Sequence, residues 1–217
     1  MNPHSADGPK SARGPARRSG PAEAVRRSLG GGLAASLALL VALPAPAGGR
    51  SLAGLAYSSA SPRVLQRQPS PGSCHERGSG LYARPDLRCT PGALNPAVTP
   101  STVGSTICHA GWTASVRPPE SVTEPEKLAS LRAYGLPGAL SRYEYDHLVP
   151  LELGGAVNDA RNLWPEPDYA TRAGFYLNPK DRLENSLKHL VCARRMSLSD
   201  AQRLIAGDWV AAYRRFG

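Results

Sequence analysis

The run Tyr143-Glu144-Tyr145-Asp146-His147 is followed by Leu-Val-Pro-Leu-Glu-Leu and then by Gly154-Gly155. Asn162 stands seven residues after Gly155 and opens Asn162-Leu163-Trp164-Pro165-Glu166-Pro167. A later segment carries Lys180, Asp181, Glu184 and Asn185. An imidazole titrates near neutrality, so His147 on a rigid strand end can take a proton from water. Carboxylates close by can hold a hard divalent cation, and a cation polarises a phosphate and stabilises a departing alkoxide. These types together suit hydrolysis of a phosphate ester.

Such chemistry requires elements that bring the groups together. The aromatic-rich run reads as a strand ending at His147. Gly154-Gly155 can adopt the positive φ of a tight turn and so bring a second strand, near Asn162, back into pairing. A helix from about Pro179 to Cys192 would follow, with Leu183, Leu187, Leu190 and Val191 inward. Asp181 and Glu184 are three apart and share a face near its start. On a regular strand Asp146 and His147 point to opposite sides, unless the backbone bends.

This order resembles the HNH (ββα-metal, His-Me finger) nuclease motif: Asp-His at a strand end, a Gly-Gly turn, Asn-Leu on the next strand, then a helix completing a metal site. The nearer resemblance is to secreted actinobacterial HNH-like proteins, carried by Cys89-Thr90-Pro91-Gly92-Ala93, Asn95 to Thr99, Thr106-Ile107-Cys108, the Asp146 block, Asn162 to Pro167 and the Lys180–Glu184 block. It covers roughly residues 86–215. The resemblance implies a metal-dependent endonuclease with His147 as general base and Asp146 on the metal, the strand bending between them. It implies that Asn162 orients the histidine or the loop. The motif's usual helix histidine has no counterpart here, since His189 lies late in the helix and reads as a surface residue. Glu184 is the preferred second metal ligand and Asp181 the reserve. Lys180 would contact substrate phosphate. Mg²⁺ or Mn²⁺ suits these oxygen ligands better than Zn²⁺. The plain alternative is a solvated ion-pair face made of Lys180, Asp181 and Glu184.

The remaining candidates carry less. Trp164 reads as packing, Glu152 as structural through a salt bridge, and Glu166 is ambiguous between two prolines. Arg117 and Arg142 could meet a nucleic-acid backbone, as any exposed arginine could. His75 and His109 have no partner pattern. Residues 98–117, rich in Val, Thr and Ile, suggest extended structure. Thr123-Glu124-Pro125-Glu126 resembles a capping box opening a helix that closes at Gly135. A last helix spans about Ser199 to Arg215, with Leu204, Ile205, Trp209 and Tyr213 as its core stripe.

The chain as a whole has 217 residues and a formal charge of +9, of which residues 1–47 supply +4. The surplus suits a polyanion without demonstrating one. Gly and Pro, 22 and 21 in number, crowd into the first hundred residues. Leu33–Leu43 is an eleven-residue apolar run after Arg26-Arg27 and before Ala45-Pro46-Ala47. That is the pattern of a secretory signal over 1–47, with a loose twin-arginine likeness; the alternative is an uncleaved anchor. Residues 48–85 read as a disordered linker, low in large apolar side chains, and residues 86–217 as an α+β domain. No other segment is apolar enough to span a membrane. An exported chain with Cys74, Cys89, Cys108 and Cys192 suggests disulfides. Three pairings are open and the sequence does not choose; Cys74–Cys89 with Cys108–Cys192 is the working guess. Zinc is disfavoured because no C-x-x-C occurs.

The expectation is a secreted or envelope monomer cutting DNA or RNA without sequence preference, since no helix-turn-helix or zinc-finger pattern appears. The sequence identifies no inhibitor protein. The competing expectation is a non-catalytic exported binding module on the same scaffold. A zinc hydrolase would need an H-E-x-x-H pattern, which is absent.

Overall fold

The computed structural model describes residues 54–168 and 178–217. The signal at 1–47 and the first part of the linker, 48–53, lie outside the described residues. What is described is a small α+β domain. Its elements are β1 (Ala56–Tyr57), β2 (Ala93–Leu94), α1 (Trp112–Val116), α2 (Glu120–Tyr134), β3 (Tyr143–His147), β4 (Leu163–Pro167), α3 (Pro179–Cys192) and α4 (Leu198–Phe216).

The helix pair α3 and α4 forms one side of the core. Leu183, Leu187 and Val191 of α3 meet Ala201, Ile205, Trp209 and Val210 of α4, and all are buried. Their spacing of three and four residues puts each set on one helix face. Pro179 stands in the first turn of α3, where its missing N–H costs nothing. In α4 the expected single helix is interrupted: Asp208 has φ −151° and ψ 89°. Its Oδ1 accepts from the N–H groups of Val210 and Ala211, at 3.1 and 3.2 Å, so it caps the second half of the element. Trp209, one residue on, stays in the core and stacks against Tyr82 with ring centroids 6.3 Å apart.

Antiparallel β3 and β4 pair in the register Tyr143↔Pro167 through His147↔Leu163. Trp164, fully buried on β4, packs with Tyr134 of α2 and with Cys74 and Ala83 in a second, smaller apolar cluster. The packing role expected of Trp164 is therefore what the structure shows.

Two regions differ from the sequence expectation. Residues 54–85, read as part of a disordered linker, belong to the same compact unit as the rest, so the domain does not begin at 86. The segment is held by backbone hydrogen bonds as well as by the burial of a few small apolar residues, Cys74 and Ala83 among them. Gly72 and Cys74 donate their N–H groups to the α2 carbonyls of Arg132 and Ala133, at 2.9 and 3.0 Å. Gln66 N–H donates to Glu126 at 2.6 Å, and Ser58 N–H to Leu94 at 2.7 Å. A low apolar content is a poor guide where a segment's backbone groups find partners on a neighbouring helix. Residues 98–117 are not extended either. Thr102 and Thr106 turn their hydroxyls onto the local backbone, as in Thr106 Oγ1 to Thr102 O at 2.7 Å, and the chain runs through successive turns into α1. Helix α2 also starts earlier than the capping-box reading, at Glu120, with Thr123 and Pro125 inside it. Gly135 closes it in the left-handed conformation at φ 62°.

The disulfides are Cys74–Cys89 and Cys108–Cys192, separated by 15 and 84 residues. The working guess for the pairing is what forms. The first bridge secures the 54–85 segment and the second ties the turn-rich segment to the end of α3. Among the described residues no helix is long and apolar enough to cross a membrane.

Candidate functional site

Strand β3 ends at His147 because the chain is then drawn off the strand by one side chain. Asn162, fully buried, accepts the N–H of Val149 at 3.0 Å and donates to the carbonyls of Val149 at 2.9 Å and Ala156 at 3.1 Å. It therefore clasps the loop between the strands at both ends. The glycines make room for the clasp. A Cβ on Gly155 would lie 1.7 Å from the Val149 carbonyl oxygen and 2.8 Å from Asn162 Nδ2. Gly154, at φ 74°, would drive one into Val98. Asn162, expected among the catalytic groups, thus orients the loop; its hydrogen bonds go to loop backbone and not to the histidine ring.

The His147 side chain is held differently. Its Nε2 lies 3.0 Å from the carbonyl oxygen of Val157. A carbonyl only accepts, so Nε2 carries the hydrogen and Nδ1 keeps a free lone pair in the neutral ring. Burial lowers the pKa of the imidazole below its ordinary value. The Val157 carbonyl and the Asp146 charge oppose that shift, while Arg117 and Lys180 add to it. The residue is 8% exposed, and it lines both a narrow cleft with Glu144, Glu152 and Asp181 and a wider cavity of about 370 Å³ bounded by α2. Burial thus favours the neutral imidazole, in a residue that lines open space.

Behind it lies a buried ionic cluster that the sequence did not disclose. Lys180 is fully buried. Its Nζ stands 2.7 Å from Asp146 Oδ2, contacts Glu184 Oε1 and donates to the His147 carbonyl at 2.8 Å. Burial alone would discharge the ammonium, but Asp146, Glu184 and Glu166 together raise its pKa well above the ordinary lysine value. Burial likewise opposes the charge on Asp146; Lys180 overcomes it and keeps that pKa low. Glu166, 4% exposed, shares a hydrogen bond with Asp146, and burial pushes its pKa well up. Glu184 is raised for the same first reason. Lys180 is thus paired with both Asp146 and Glu184, while burial works against the charged forms of Glu184 and Glu166.

This geometry corrects two assignments. Lys180 does not face phosphate: it is inside the fold, and its contacts are the acids and a backbone carbonyl. Asp146 and Glu184, expected as metal ligands, are bridged by that ammonium. A divalent ion between them would need both carboxylates ionised and the ammonium displaced, so these residues as arranged do not fit one. Among the described residues no group of three or more His, Cys, Asp and Glu side chains is gathered to hold a metal. Asp181, the reserve ligand, lines the narrow cleft, and burial followed by repulsion from Asp146 pushes its pKa up to about 6. Glu144, at the cleft's rim, is pushed up to about 7 by desolvation and then by Asp146 and Asp181.

The other candidates are placed as follows. Glu152 lines the cleft and forms no ion pair among the described residues, against the salt bridge expected of it. His189, His75 and His109 are exposed and stand outside the site. Arg142 lines a different cavity, with Glu76 and Pro167. Arg117 lines the narrow cleft and the wider cavity beside His147. Val157, the acceptor that fixes the ring, gave no signal in the sequence, because a backbone carbonyl does its work whatever side chain it bears.

Compared with protein-family models, curated proteins and solved structures, the chain matches none.

Proposed function

We propose that the protein is an exported phosphodiester hydrolase, a nuclease of the HNH (ββα) type, with His147 as its general base. The observation that carries the reading is the Nε2 hydrogen bond to Val157, which leaves Nδ1 unprotonated in a residue that lines a cleft. The order β3, β4, α3, with Asp-His ending the first strand and Asn162 clasping the connection, supports it. The two disulfides suit an oxidising compartment and so agree with secretion.

In this reading a water in the cleft gives its proton to Nδ1 of His147 as its oxygen bonds to phosphorus. The bond from phosphorus to the leaving oxygen breaks, and that oxygen takes up a proton from solvent. Asp146 and Lys180 do not meet the substrate. They fix the end of β3, Lys180 directly through the His147 carbonyl, and so set where the ring stands. Mg²⁺ or Mn²⁺ remains an expectation of the resemblance; no step is assigned to it, because Asp146 and Glu184 already hold an ammonium.

The test is incubation of the purified protein with plasmid DNA and with RNA, in Mg²⁺, in Mn²⁺ and in chelator. Cleavage that disappears in His147→Ala supports the proposal. Cleavage unchanged by that substitution, or intact nucleic acid under every condition, overturns it. The latter result would favour a non-catalytic exported binding protein, for which the filled Asp146–Glu184 pair is the specific argument.

A further inference from the structure

The geometry points to Arg117 as the residue that binds the substrate phosphate, with the cavity beyond it taking the adjoining nucleotide in unstacked form; this rests on the nuclease reading above. Three cavities meet at Arg117. It lines the narrow cleft and the wider cavity shared with His147, and also a third cavity of about 480 Å³ formed by residues of the 58–63 segment with Asn95, Ser115 and Ala156. The last is within the size range of small-ligand sites.

The charges separate these spaces. The narrow cleft, about 70 Å³ and lined by Glu144, Glu152, Asp181 and Glu184, has room for the attacking water but would repel a phosphate, and the wider cavity carries Glu120, Glu124, Glu144 and Asp168 against Lys127 and Arg117. The 480 Å³ cavity has no acid in its lining; its charged side chains are Arg63 and Arg117, and Ser58, Ser59, Asn95 and Ser115 add hydrogen-bonding groups. Arg117 is exposed and, among the described residues, neither it nor Arg63 forms an ion pair. A guanidinium without a carboxylate partner retains its fork of donors for a phosphate. The link to the base is short. Val157, whose carbonyl holds Nε2 of His147, also lines the 480 Å³ cavity, and the Arg117 charge reaches far enough to help lower the His147 pKa. A phosphate on Arg117 would thus sit between the base and a cationic, nucleotide-sized space. A base enters such a space only out of its stack, and a single strand has no pairing to break, so it is the substrate class this space favours.

The experiment measures binding of a fluorescein-labelled single-stranded oligonucleotide by anisotropy, with the full chain carrying His147→Ala to prevent cleavage. Adding Arg117→Gln is expected to weaken binding at least tenfold and to reduce the slope of log K against log salt by about 0.7, one phosphate contact on a single strand. Arg117→Lys should restore most of that slope, and Arg142→Gln should change neither quantity. Equal melting temperatures for the variants exclude a folding effect. Arg117→Gln binding within twofold of the parent with an unchanged slope overturns the inference and leaves the proposed function standing. A duplex that competes as well as the single strand also overturns it. If the parent binds no oligonucleotide and the unsubstituted protein cleaves none, inference and function fall together.

Discussion

Replacing Lys180 with Met tests whether the ammonium behind His147 holds the site together. Methionine keeps much of the volume and removes the charge. Asp146, 7% exposed, then loses the counter-ion at 2.7 Å, and the His147 carbonyl loses its 2.8 Å donor. Removing one partner of a buried ion pair costs about 3–5 kcal/mol. For a domain of this size that corresponds to a fall in Tm on the order of 10 °C. The loss should depend on pH. Without Lys180, burial raises the Asp146 pKa, so the variant's folded state retains a proton that its unfolded state releases. Its stability relative to the parent should therefore fall as pH rises above about 4, the unfolded carboxylate pKa. Urea unfolding at several pH values, comparing midpoints, measures this. Glu184→Gln is the contrast, since an amide oxygen still accepts from Lys180; it should cost about 1 kcal/mol or less. A Lys180→Met loss below about 1 kcal/mol, or one that does not vary with pH, would refute the argument that the ion pair is buried and mutually dependent.

Other outcomes follow from the same geometry. Asn162→Ala leaves the Val149 N–H and two loop carbonyls without partners, so a loss of about 2–4 kcal/mol is expected by thermal melting, and less than about 1 would contradict the clasp. Opening Cys108–Cys192 with paired serines should cost about 4 kcal/mol, and Cys74–Cys89 about 3, because the loops close over 84 and 15 residues. Differential scanning calorimetry checks the order. The lowered His147 pKa means that the folded state resists the proton that the unfolded chain accepts near pH 6.5. Stability from this residue is present above about pH 6.5 and declines as pH falls toward the folded pKa. Correspondingly, the acid limb of kcat/KM for nucleic-acid cleavage should lie below about 6.5, and a limb above that value would count against a buried neutral base.

The sequence disclosed the site unevenly. The strand ending at His147, the return at Leu163, and helices α3 and α4 were legible because apolar spacing and turn residues encode them locally. The burial of Lys180 was not. On the helix it stands beside Asp181 and four residues before Glu184, which is how a solvated face is also written; its depth is decided by Asp146, thirty-four residues earlier. The ordered 54–85 segment was missed for a related reason. Its partners are carbonyls of Arg132 and Ala133 and the carboxyl of Glu126, all distant in sequence, while its own composition speaks only of weak apolar burial. The turns over 98–117 were misread because threonine favours strands by propensity, yet here its hydroxyls bond the local backbone.

The central claim is that His147 is a neutral base with hydrogen on Nε2 and a lone pair on Nδ1. Nitrogen-15 NMR of histidine-labelled protein, titrated beside the pH profile of nucleic-acid cleavage, tests it most directly. The account predicts an Nε2–H tautomer and a His147 pKa that coincides with the acid limb of the cleavage rate. A ring protonated on Nδ1 in its neutral form, or cleavage that does not follow its titration, would contradict it.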